Sequence, residues 1–507
     1  MIVTFGMVAC FCMIVILILQ RSFVADKSFT DYAVGGRSFG GVYQAMSFLN
    51  TWYPGATFIA LAGLSASAGV LGLYCLAYSL LTVVLMYLIA RRVWIWGSMF
   101  DLRTQPDLFA LRYGSTHART IAAIIGVVSV FPWLVLGFQS LGVAFRALSL
   151  GALSFSAAVV VGVVLMVIRQ FWTIRMGMRG IVISDMFQGI VAYVVGGVLL
   201  LAMIAWLATT HGAGLDKLPE RMFEIPGLGS PTGPLYYLAL VFTGAIGGWC
   251  WSSVFVRLYT ANGVRSLKQS AAIGVPLSYV FYLTLTIFAF YASVLPEVQK
   301  SPDQVFFIVS EQAGGVWAIG LAGTVVLAAS MGSIDGIIQA AGAQIASDII
   351  GSYRELRHNE MLWIAKVSMF GVTLLAAFLA CFELPRLFQL AVLAYQGVVQ
   401  LAVPQFMGIF WKRGNKHGAI AGMVVGFAVA GGLEWVYPNF VPWAYGLTSG
   451  VIALAANLLI YVAAAYLMPM SAAEREKVEE IFAAADGRTI ASPAPVPIPT
   501  KAAMAAD

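Results

Sequence analysis

Charged side chains are scarce in this sequence. Asp, Glu, Lys and Arg account for 10% of its 507 residues, whereas a soluble domain carries roughly 25%. Hydrophobic residues account for 60%, and the mean hydropathy is +0.87. A single soluble core cannot bury that much apolar surface, so the composition predicts an all-α or all-β polytopic protein embedded in a lipid bilayer.

The apolar runs lack the alternation of a membrane β-barrel. They continue for roughly 18–30 residues, whereas the strands of a barrel alternate over about 10 residues. Helices are expected instead, because each helix satisfies its own backbone hydrogen bonds in lipid. The first run, IVTFGMVACFCMIVILIL, follows no basic residue and precedes no small-residue cleavage site. We therefore interpret it as a retained first span rather than a signal peptide.

Residue types that hold metals or catalyse reactions are also few. The five cysteines all lie in apolar segments and show no metal-like spacing beyond one CxC, which is typical of small packing residues. The four histidines lie in loops or at the ends of apolar segments. A membrane enzyme would need histidines or paired acids inside the bilayer, so the sequence predicts neither an enzyme nor an organic cofactor.

Thirteen apolar segments are long enough to cross a membrane as helices. Their approximate bounds are 2–20, 42–67, 71–91, 118–147, 152–170, 181–208, 236–258, 270–294, 315–349, 361–381, 386–411, 417–436 and 444–468. The sequence after about residue 470 is polar and then rich in Ala and Pro, which predicts a disordered tail.

Positive charge is distributed unevenly between the connecting loops. If the amino terminus lies outside, the loops on the other side hold most of the Arg and Lys residues, including Arg91, Arg92, Arg175 and Arg179. The positive-inside rule then places those loops and the carboxyl terminus in the cytoplasm. This predicts a multi-pass protein of the plasma membrane (the inner membrane of a bacterium). The net charge of +6 reflects this asymmetry and does not indicate a nucleic-acid partner.

The span count and this orientation predict an inverted repeat. Spans two to six begin inside and spans seven to eleven begin outside, the arrangement of two related halves with opposite topology. The predicted organisation is a first helix with a cytoplasmic loop (1–41), a first repeat (42–208), a second repeat (236–411), two peripheral helices (417–468) and a disordered cytoplasmic tail (471–507).

The first span of each predicted repeat contains helix-breaking residues near its middle. In the second span these are Asn50-Thr51 and Pro54-Gly55, and Pro54 removes a hydrogen bond to the preceding turn. In the seventh span, three glycines and two serines interrupt the apolar run: Gly244, Gly247, Gly248, Ser252 and Ser253. Each set alone could be an ordinary kink or a close helix contact. Interruptions at matching places in two halves favour discontinuous helices that bind an ion and a solute.

The segment TVVLAASMGSIDGIIQAAGAQIASD (324–348) places polar groups inside an apolar region. Its glycines could serve close packing, and its hydroxyls could bond to their own helix. Asp335 is different, because a carboxylate in hydrocarbon needs a cavity, a cation or a basic partner. Asp185, in GIVISDMFQGIV, is a second acid inside a span. Both acids are candidate relays for a cation.

Six motifs in the order of the chain resemble the sodium/solute symporter family, which comprises sodium-coupled sugar, proline, pantothenate and monocarboxylate carriers. They are DYAVGGRSFGG (31–41), NTWYPGATFIALAGLSASAG (50–69), WTIRMGMRGIVISDMFQ (172–188), FVRLYTANGVRSLKQSA (255–271), the segment at 324–348 and PQFMGIFWKRGNKHGAIAG (404–422). The resemblance implies a five-plus-five inverted repeat, the LeuT-like fold, with one extra helix before it and two after it. It also implies solute uptake driven by a cation gradient, with Na⁺ as the expected ion.

The resemblance also implies which residues bind Na⁺. The carbonyl groups of Asn50 and Tyr53 on the first core helix would face Ala329, Gly332 and Ser333 on the eighth. Gly332 stands where the family usually has a Ser or Thr, so one hydroxyl ligand is missing. Water or Asp335 could replace it, although Asp335 lies about 200° from Ser333 around the helix axis. Proton coupling through a carboxylate is the alternative.

Solute-binding positions follow from the same resemblance. They are Thr57, Ser79, Trp251, Ser252, Tyr395 and Gln396. The polar amide and the acid that the sugar carriers use near Thr57 and Leu76 are missing, which disfavours a sugar. An apolar site with hydroxyls and amides suits a small organic anion, and FPWLVLGFQSLG (131–142) is similar to monocarboxylate-type members. The alternatives are a proton-coupled or uncoupled carrier on the same fold, or a transporter-like sensor module.

Overall fold

The computed structural model describes residues 1–24, 28–228, 230–382 and 387–487. Helices form most of these ranges, and no β-strand occurs within them beyond two isolated bridges. The helices are α1 Ile2–Arg21, α2 Phe29–Val34, α3 Gly41–Trp52, α4 Ala60–Ala68, α5 Tyr74–Met99, α6 Gln105–Tyr113, α7 Thr116–Leu148, α8 Phe155–Gly189, α9 Gly196–Thr210, α10 Pro234–Gly247, α11 Ser252–Phe255, α12 Arg257–Thr260, α13 Val264–Ala292, α14 Pro296–Lys300, α15 Val305–Gln344, α16 His358–Ala380, α17 Leu387–Val398, α18 Ala402–Phe410, α19 Lys416–Val436, α20 Ser449–Leu467 and α21 Ala472–Ala485. The all-α prediction is confirmed.

Ten helical stretches of the described chain are long and apolar enough to cross a membrane, or eleven if the bent pair Pro234–Cys250 and Ser252–Thr260 is one span. Three stretches, Gly55–Met99, Pro302–Ile350 and Phe155–Thr210, contain 45, 49 and 56 residues. A bilayer core needs about 20 residues per helix, so each of these is longer than one crossing requires. A glycine with positive φ interrupts each of them: Gly69 (+57°), Gly315 (+56°) and Gly177 (+58°). The count of thirteen and the repeat boundaries stay predictions.

The second predicted span is broken where its sequence indicated. The helix α3 ends at Trp52, and Tyr53 (φ −109°, ψ 87°) and Pro54 (φ −70°, ψ 167°) leave helical geometry. A short 3₁₀ turn, Gly55–Phe58, then leads into α4. We call the segment Tyr53–Pro54 the first break.

The seventh predicted span is broken at Trp251. There the backbone is extended (φ −71°, ψ 118°) between a 3₁₀ turn and α11, and the chain bends by 58°. The glycines of this span have another role. A Cβ at Gly248 would lie 2.5 Å from the Trp52 ring, and one at Gly244 would lie 2.6 Å from the Tyr78 ring. They allow α10 to approach aromatic side chains closely, while Trp251 forms the second break.

The prediction of a disordered tail from residue 471 is wrong for Ala472–Ala485, which form α21. Val478, Ile481 and Phe482 share one face of this helix and are buried, and the Trp96 Nε1–H donates to the Ile481 carbonyl at 2.6 Å. This i, i+3, i+4 spacing of apolar residues is the pattern of an amphipathic helix, but the many charges between them conceal it. Residues 488–507 lie outside the described ranges.

Candidate functional site

The first break exposes the last carbonyl groups of α3. Pro54 has no N–H to donate to the Asn50 carbonyl, as residue i+4 of a continuous helix would. The Tyr193 hydroxyl lies 3.0 Å from the Leu49 oxygen and 2.8 Å from the Tyr53 oxygen. The Leu49 carbonyl also accepts from the Tyr53 N–H (2.8 Å), so the single Tyr193 proton is available to the Tyr53 carbonyl. The predicted ligand Tyr53 therefore has a donor, whereas the Asn50 carbonyl has lost its helical one.

Gly332 of α15 faces the side chain of Asn50. A Cβ added at position 332 would overlap with Asn50 Nδ2 and lie 2.6 Å from Asp185 Oδ1. Asn50 Nδ2 donates to Asp185 Oδ1 (3.0 Å) and to Gln188 Oε1 (3.1 Å). Asn50 Oδ1 is buried and has no hydrogen-bond partner among the described residues. The amide thus occupies the space that a hydroxyl-bearing side chain at position 332 would need.

The other predicted cation ligands of α15 are buried within one turn of Gly332. Ala329 and Ser333 are 0% and 1% exposed, and α15 packs against α3. The neighbouring Ser330 hydroxyl lies against the first break, where a Cβ at Gly55 would overlap with it. The structure therefore brings Asn50, Gly332 and the break together at one helix contact.

Asp185 lies at the centre of a buried polar cluster beside this contact. Its Oδ2 accepts hydrogen bonds from the Ser47 hydroxyl (2.6 Å) and from Arg257 (3.3 Å), and Arg257 also donates to Thr51 Oγ1 (2.7 Å). Asp185 and Arg257 are 0% and 2% exposed. Each charge compensates the other, which a buried ion pair requires. In the sequence, Arg257 is recognisable only as part of a motif, because its partner Asp185 lies 72 positions away in the chain.

Asp335 forms an ion pair with Arg169 of α8, and both side chains are 1% exposed. Of the three environments expected for this carboxylate, the structure provides the basic partner. Arg169 is near the end of the predicted fifth span (152–170), and nothing in the sequence paired it with Asp335. The two candidate relays are thus held by different arginines.

The predicted solute residues Trp251 and Tyr395 pack edge to face, with ring centroids 5.5 Å apart. Trp133 contacts both rings, at 5.8 and 5.7 Å. Tyr78 lies 6.4 Å from Tyr395 and 5.8 Å from Trp52. We call these five rings the aromatic cluster. Trp133 belongs to the monocarboxylate-like stretch, but nothing in the sequence identified Tyr78 or Trp52 as its neighbours.

Two predicted solute hydroxyls lie close to this cluster. Thr57 and Ser79 are both 0% exposed and lie beside the Tyr282 hydroxyl. The Trp52 Nε1–H is buried and, within the described ranges, donates to no acceptor. An indole N–H can only donate. The cluster therefore offers apolar ring faces together with hydrogen-bond donors.

Ser252 and Gln396 are directed elsewhere. The Ser252 hydroxyl donates to Gln105 Oε1 (2.7 Å) and accepts from Gln344 Nε2 (2.6 Å). Gln396 Oε1 accepts from the Gly450 N–H (2.7 Å) on the peripheral helix α20. Their polar groups are engaged in contacts between helices, and the structure does not group them with the ring faces of Trp251 and Tyr395.

Glutamine side chains donate hydrogen bonds to the carbonyl groups at the second break. Gln105 Nε2 donates to the Cys250 carbonyl (3.0 Å), and Gln405 Nε2 donates to the Trp249 carbonyl (2.8 Å). Gln105 Nε2 also lies 2.6 Å from Gln405 Oε1. Gln105 begins the short helix α6, so a connecting segment reaches into the centre of the molecule. Nothing in the sequence indicated this contact, since both glutamines are far from Trp251 in the chain.

A cavity of about 570 Å³ lies between α7, the start of α8 and the start of α15. Its lining includes Gln139, Arg146, Asp303, Glu311 and Leu387. In the predicted orientation, these residues lie on the outer side. The cavity is a candidate entrance for solute and ion.

In the described part of the chain, no three His, Cys, Asp or Glu side chains come together as metal ligands. A sodium ion accepts carbonyl, hydroxyl and amide oxygens, as hard cations do. The acceptors of the first break are of this type. The residues present therefore fit an alkali-metal ion better than a transition metal.

Known proteins share this architecture and sequence. A solved Na⁺-coupled sialic acid symporter superposes with a TM-score of 0.72 over 92% of this chain and 97% of its own, at 17% identity. This confirms the predicted inverted-repeat fold class, though not its exact number of helices. The sodium/proline symporter of Haemophilus influenzae is 24% identical over 84% of this chain and 87% of its own. A monocarboxylate transport permease protein of Rhizobium johnstonii is 21% identical over 92% and 98%.

The model of the sodium:solute symporter family matches residues 32–426, which is well over half of the chain. This confirms the family that the six motifs predicted, and it covers both broken helices and α15. The chain belongs to the sodium:solute symporter family, and it is a Na⁺-coupled secondary transporter of a small solute rather than an enzyme.

Proposed function

We propose that this symporter takes up a small organic anion, a monocarboxylate, together with Na⁺ by alternating access. The ion would bind at the first break, and the solute would bind against the aromatic cluster. Trp52 links the two sites, because it ends α3 and its ring contacts Tyr78. An ion that orders the first break would thereby also order the solute site.

The observation that carries the anion assignment is the buried Trp52 Nε1–H, which donates to no acceptor in the described chain. A carboxylate is an acceptor only, and it matches an indole N–H and the nearby Thr57 and Ser79 hydroxyls. The rings of Trp133, Trp251 and Tyr395 would cover the apolar part of the solute. Arg257 is paired with Asp185, so the charge of the anion would be balanced by the co-transported ion.

Purified protein in liposomes tests this assignment. With an imposed inward Na⁺ gradient, small monocarboxylates should accumulate and should outcompete proline and glucose. Trp52→Phe keeps an aromatic ring, though a smaller one, but removes the N–H, and it should weaken apparent affinity for the carboxylate more than the affinity for Na⁺. Accumulation of proline alone, or equal uptake by Trp52→Phe, would contradict the anion assignment.

Coupling to protons in addition to Na⁺ is a second candidate, and two observations favour it. Position 332 has no hydroxyl, and the Tyr53 carbonyl already accepts a hydrogen bond from Tyr193. In the same liposomes, an inward proton gradient without a Na⁺ gradient would then drive uptake. Our proposal expects no accumulation under that condition.

We also propose a plasma-membrane location with the amino terminus outside and the carboxyl terminus in the cytoplasm. The distribution of Arg and Lys between the loops supports this orientation. A reporter fused after residue 507 should be active only if it is of a type that functions in the cytoplasm. Activity of an export-dependent reporter at that position would reverse the assignment.

A further inference from the structure

We propose that the side-chain oxygen of Asn50 is a ligand of the coupling cation and replaces the hydroxyl that is missing at Gly332. This inference rests on the proposed binding of Na⁺ at the first break. It adds a side-chain ligand to a residue for which only the backbone carbonyl was predicted.

The helices α3 and α15 pack so closely that the Asn50 amide and a side chain at position 332 would compete for the same space. The Asn50 amide lies where a side chain at position 332 would be, since a Cβ there would overlap with Nδ2 and lie 2.5 Å from Cγ. The amide and a hydroxyl at position 332 exclude each other. A small residue at position 50 would instead leave a void against Gly332. The two positions therefore divide one volume between them, and here the Asn50 amide fills it, with Nδ2 nearest to Gly332 and Oδ1 on the other side of Cγ.

The two ends of the Asn50 amide differ in their hydrogen bonding. Its Nδ2 is held by Asp185 Oδ1 and Gln188 Oε1. Because the amide is planar, this turns Oδ1 away from Asp185. Oδ1 is fully buried and accepts no hydrogen bond from any described residue. A buried amide oxygen without a donor is a rare arrangement that calls for a partner.

The backbone carbonyl of Asn50 also lacks its helical donor. Pro54 deprives the Asn50 carbonyl of its helical donor, so one residue presents two oxygens beside the first break. A cation the size of Na⁺ needs about five or six oxygens. Asn50 would supply two of them, and Ser333 and Ala329 on α15 would add a hydroxyl and a carbonyl.

A matched pair of double variants tests the inference without relying on transport. Asn50→Ala/Gly332→Ser and Asn50→Ala/Gly332→Ala both refill the volume on the side of α15, and they differ by a single hydroxyl. The readout is thermal stabilisation of the purified protein in detergent during titration with NaCl, with choline chloride holding the ionic strength constant.

We expect Asn50→Ala to raise the half-saturating Na⁺ concentration at least about tenfold, the factor that about 1.4 kcal/mol of lost binding produces. The Ser double variant should recover most of this loss, and the Ala double variant should not. If Asn50→Ala does not fold, the two double variants still decide the question. Equal Na⁺ affinity in the two double variants, or unchanged affinity in Asn50→Ala, would overturn the inference.

The wild type in the same titration separates this inference from the proposed function. A wild type that Na⁺ does not stabilise would contradict Na⁺ binding itself. A wild type that responds to Na⁺, with variants that respond equally, would contradict only the role of the Asn50 side chain. Ser310→Ala is the control, since its buried hydroxyl donates to the Phe306 carbonyl of its own helix, and it should keep the Na⁺ response.

Discussion

Both broken helices leave backbone carbonyl groups without their helical hydrogen-bond donors, but the two breaks differ in which groups replace those donors. At the second break, the Trp249 and Cys250 carbonyls accept hydrogen bonds from Gln405 and Gln105. At the first break, the Leu49 carbonyl accepts from the Tyr53 N–H and the Tyr53 carbonyl accepts from Tyr193, but Pro54 leaves the Asn50 carbonyl without its helical donor. There the Asn50 side-chain oxygen has no donor within the described ranges.

This difference suggests which half of an inverted repeat can bind a cation. A carbonyl group at a helix break that already accepts a hydrogen bond from a neutral amide is stabilised little further by a bound ion. A carbonyl group that lies beside oxygens without donors and beside the Asp185 carboxylate is stabilised strongly by a bound cation. The fold places breaks at matching positions in both halves, but the neighbouring side chains decide what each break does.

The largest effect should come from the charge beside the first break. Asp185→Ala would leave the buried Arg257 guanidinium without its carboxylate, and breaking a buried pair in this way costs about 3–5 kcal/mol. We expect a sharp loss of thermal stability and of Na⁺ response. The double variant Asp185→Ala/Arg257→Met, which removes both charges, should recover stability. A stable Asp185→Ala protein that still responds to Na⁺ would contradict our description of this cluster.

A smaller but more specific effect should follow from Ser333→Ala. The loss of one hydroxyl ligand should weaken Na⁺-dependent uptake and raise the half-saturating Na⁺ concentration about tenfold, with little change in folding. Uptake into liposomes at graded Na⁺ concentrations measures this.

Ser310→Ala is the matched control for Ser333→Ala. Ser310 lies on the same helix and is also buried, but its hydroxyl donates to the Phe306 carbonyl of its own turn. It should behave like the wild type. If both variants show the same Na⁺ dependence as the wild type, Ser333 is not a ligand.

A substitution at the second break should change stability and transport rate rather than Na⁺ affinity. Gln405→Leu removes the nearer of two donors to the Trp249 carbonyl and leaves only Gln105 Nε2 at 3.3 Å, and the loss of a buried hydrogen bond costs about 1 kcal/mol. We expect lower stability and an altered maximal uptake rate, while the half-saturating Na⁺ concentration stays unchanged. A large change in Na⁺ affinity in Gln405→Leu would remove the distinction between the two breaks.

The smallest effect should come from the carboxyl-terminal helix, which supports α6 and thus Gln105 from a distance. The Phe482 ring lies 5.1 Å from the Arg92 guanidinium, 5.8 Å from that of Arg112 and 5.6 Å from the Lys412 ammonium. Phe482→Leu keeps an apolar side chain in place but removes the attraction of the ring face for these cations. We expect faster proteolysis within α21 and unchanged Na⁺ affinity. Resistance equal to the wild type would show that the ring contributes little.

Local patterns predicted the features that depend on local chemistry. Long apolar runs indicated helices, and Pro54 indicated the first break, because a missing N–H acts within one turn. The second break was expected among several glycines and serines, but it lies at Trp251, and the glycines instead accommodate aromatic rings. The tail helix was missed because charged residues separate its three apolar ones.

Partners that are distant in the chain could not be predicted. Asp335 was expected to need compensation, but only folding brings Arg169 to it. Likewise Gln105, Tyr193 and the packing of Asn50 against Gly332 depend on which helices meet. The missing hydroxyl at Gly332 was visible in the sequence, whereas the amide that fills its place was not.

The most direct test of the account is to locate a bound cation. Crystals soaked in thallium(I), an electron-dense monovalent cation, would show its position by anomalous scattering. We predict a peak at the first break, within coordination distance of Asn50 and Ser333, that excess Na⁺ abolishes. A peak beside the Trp249 and Cys250 carbonyls, with none at the first break, would contradict the account.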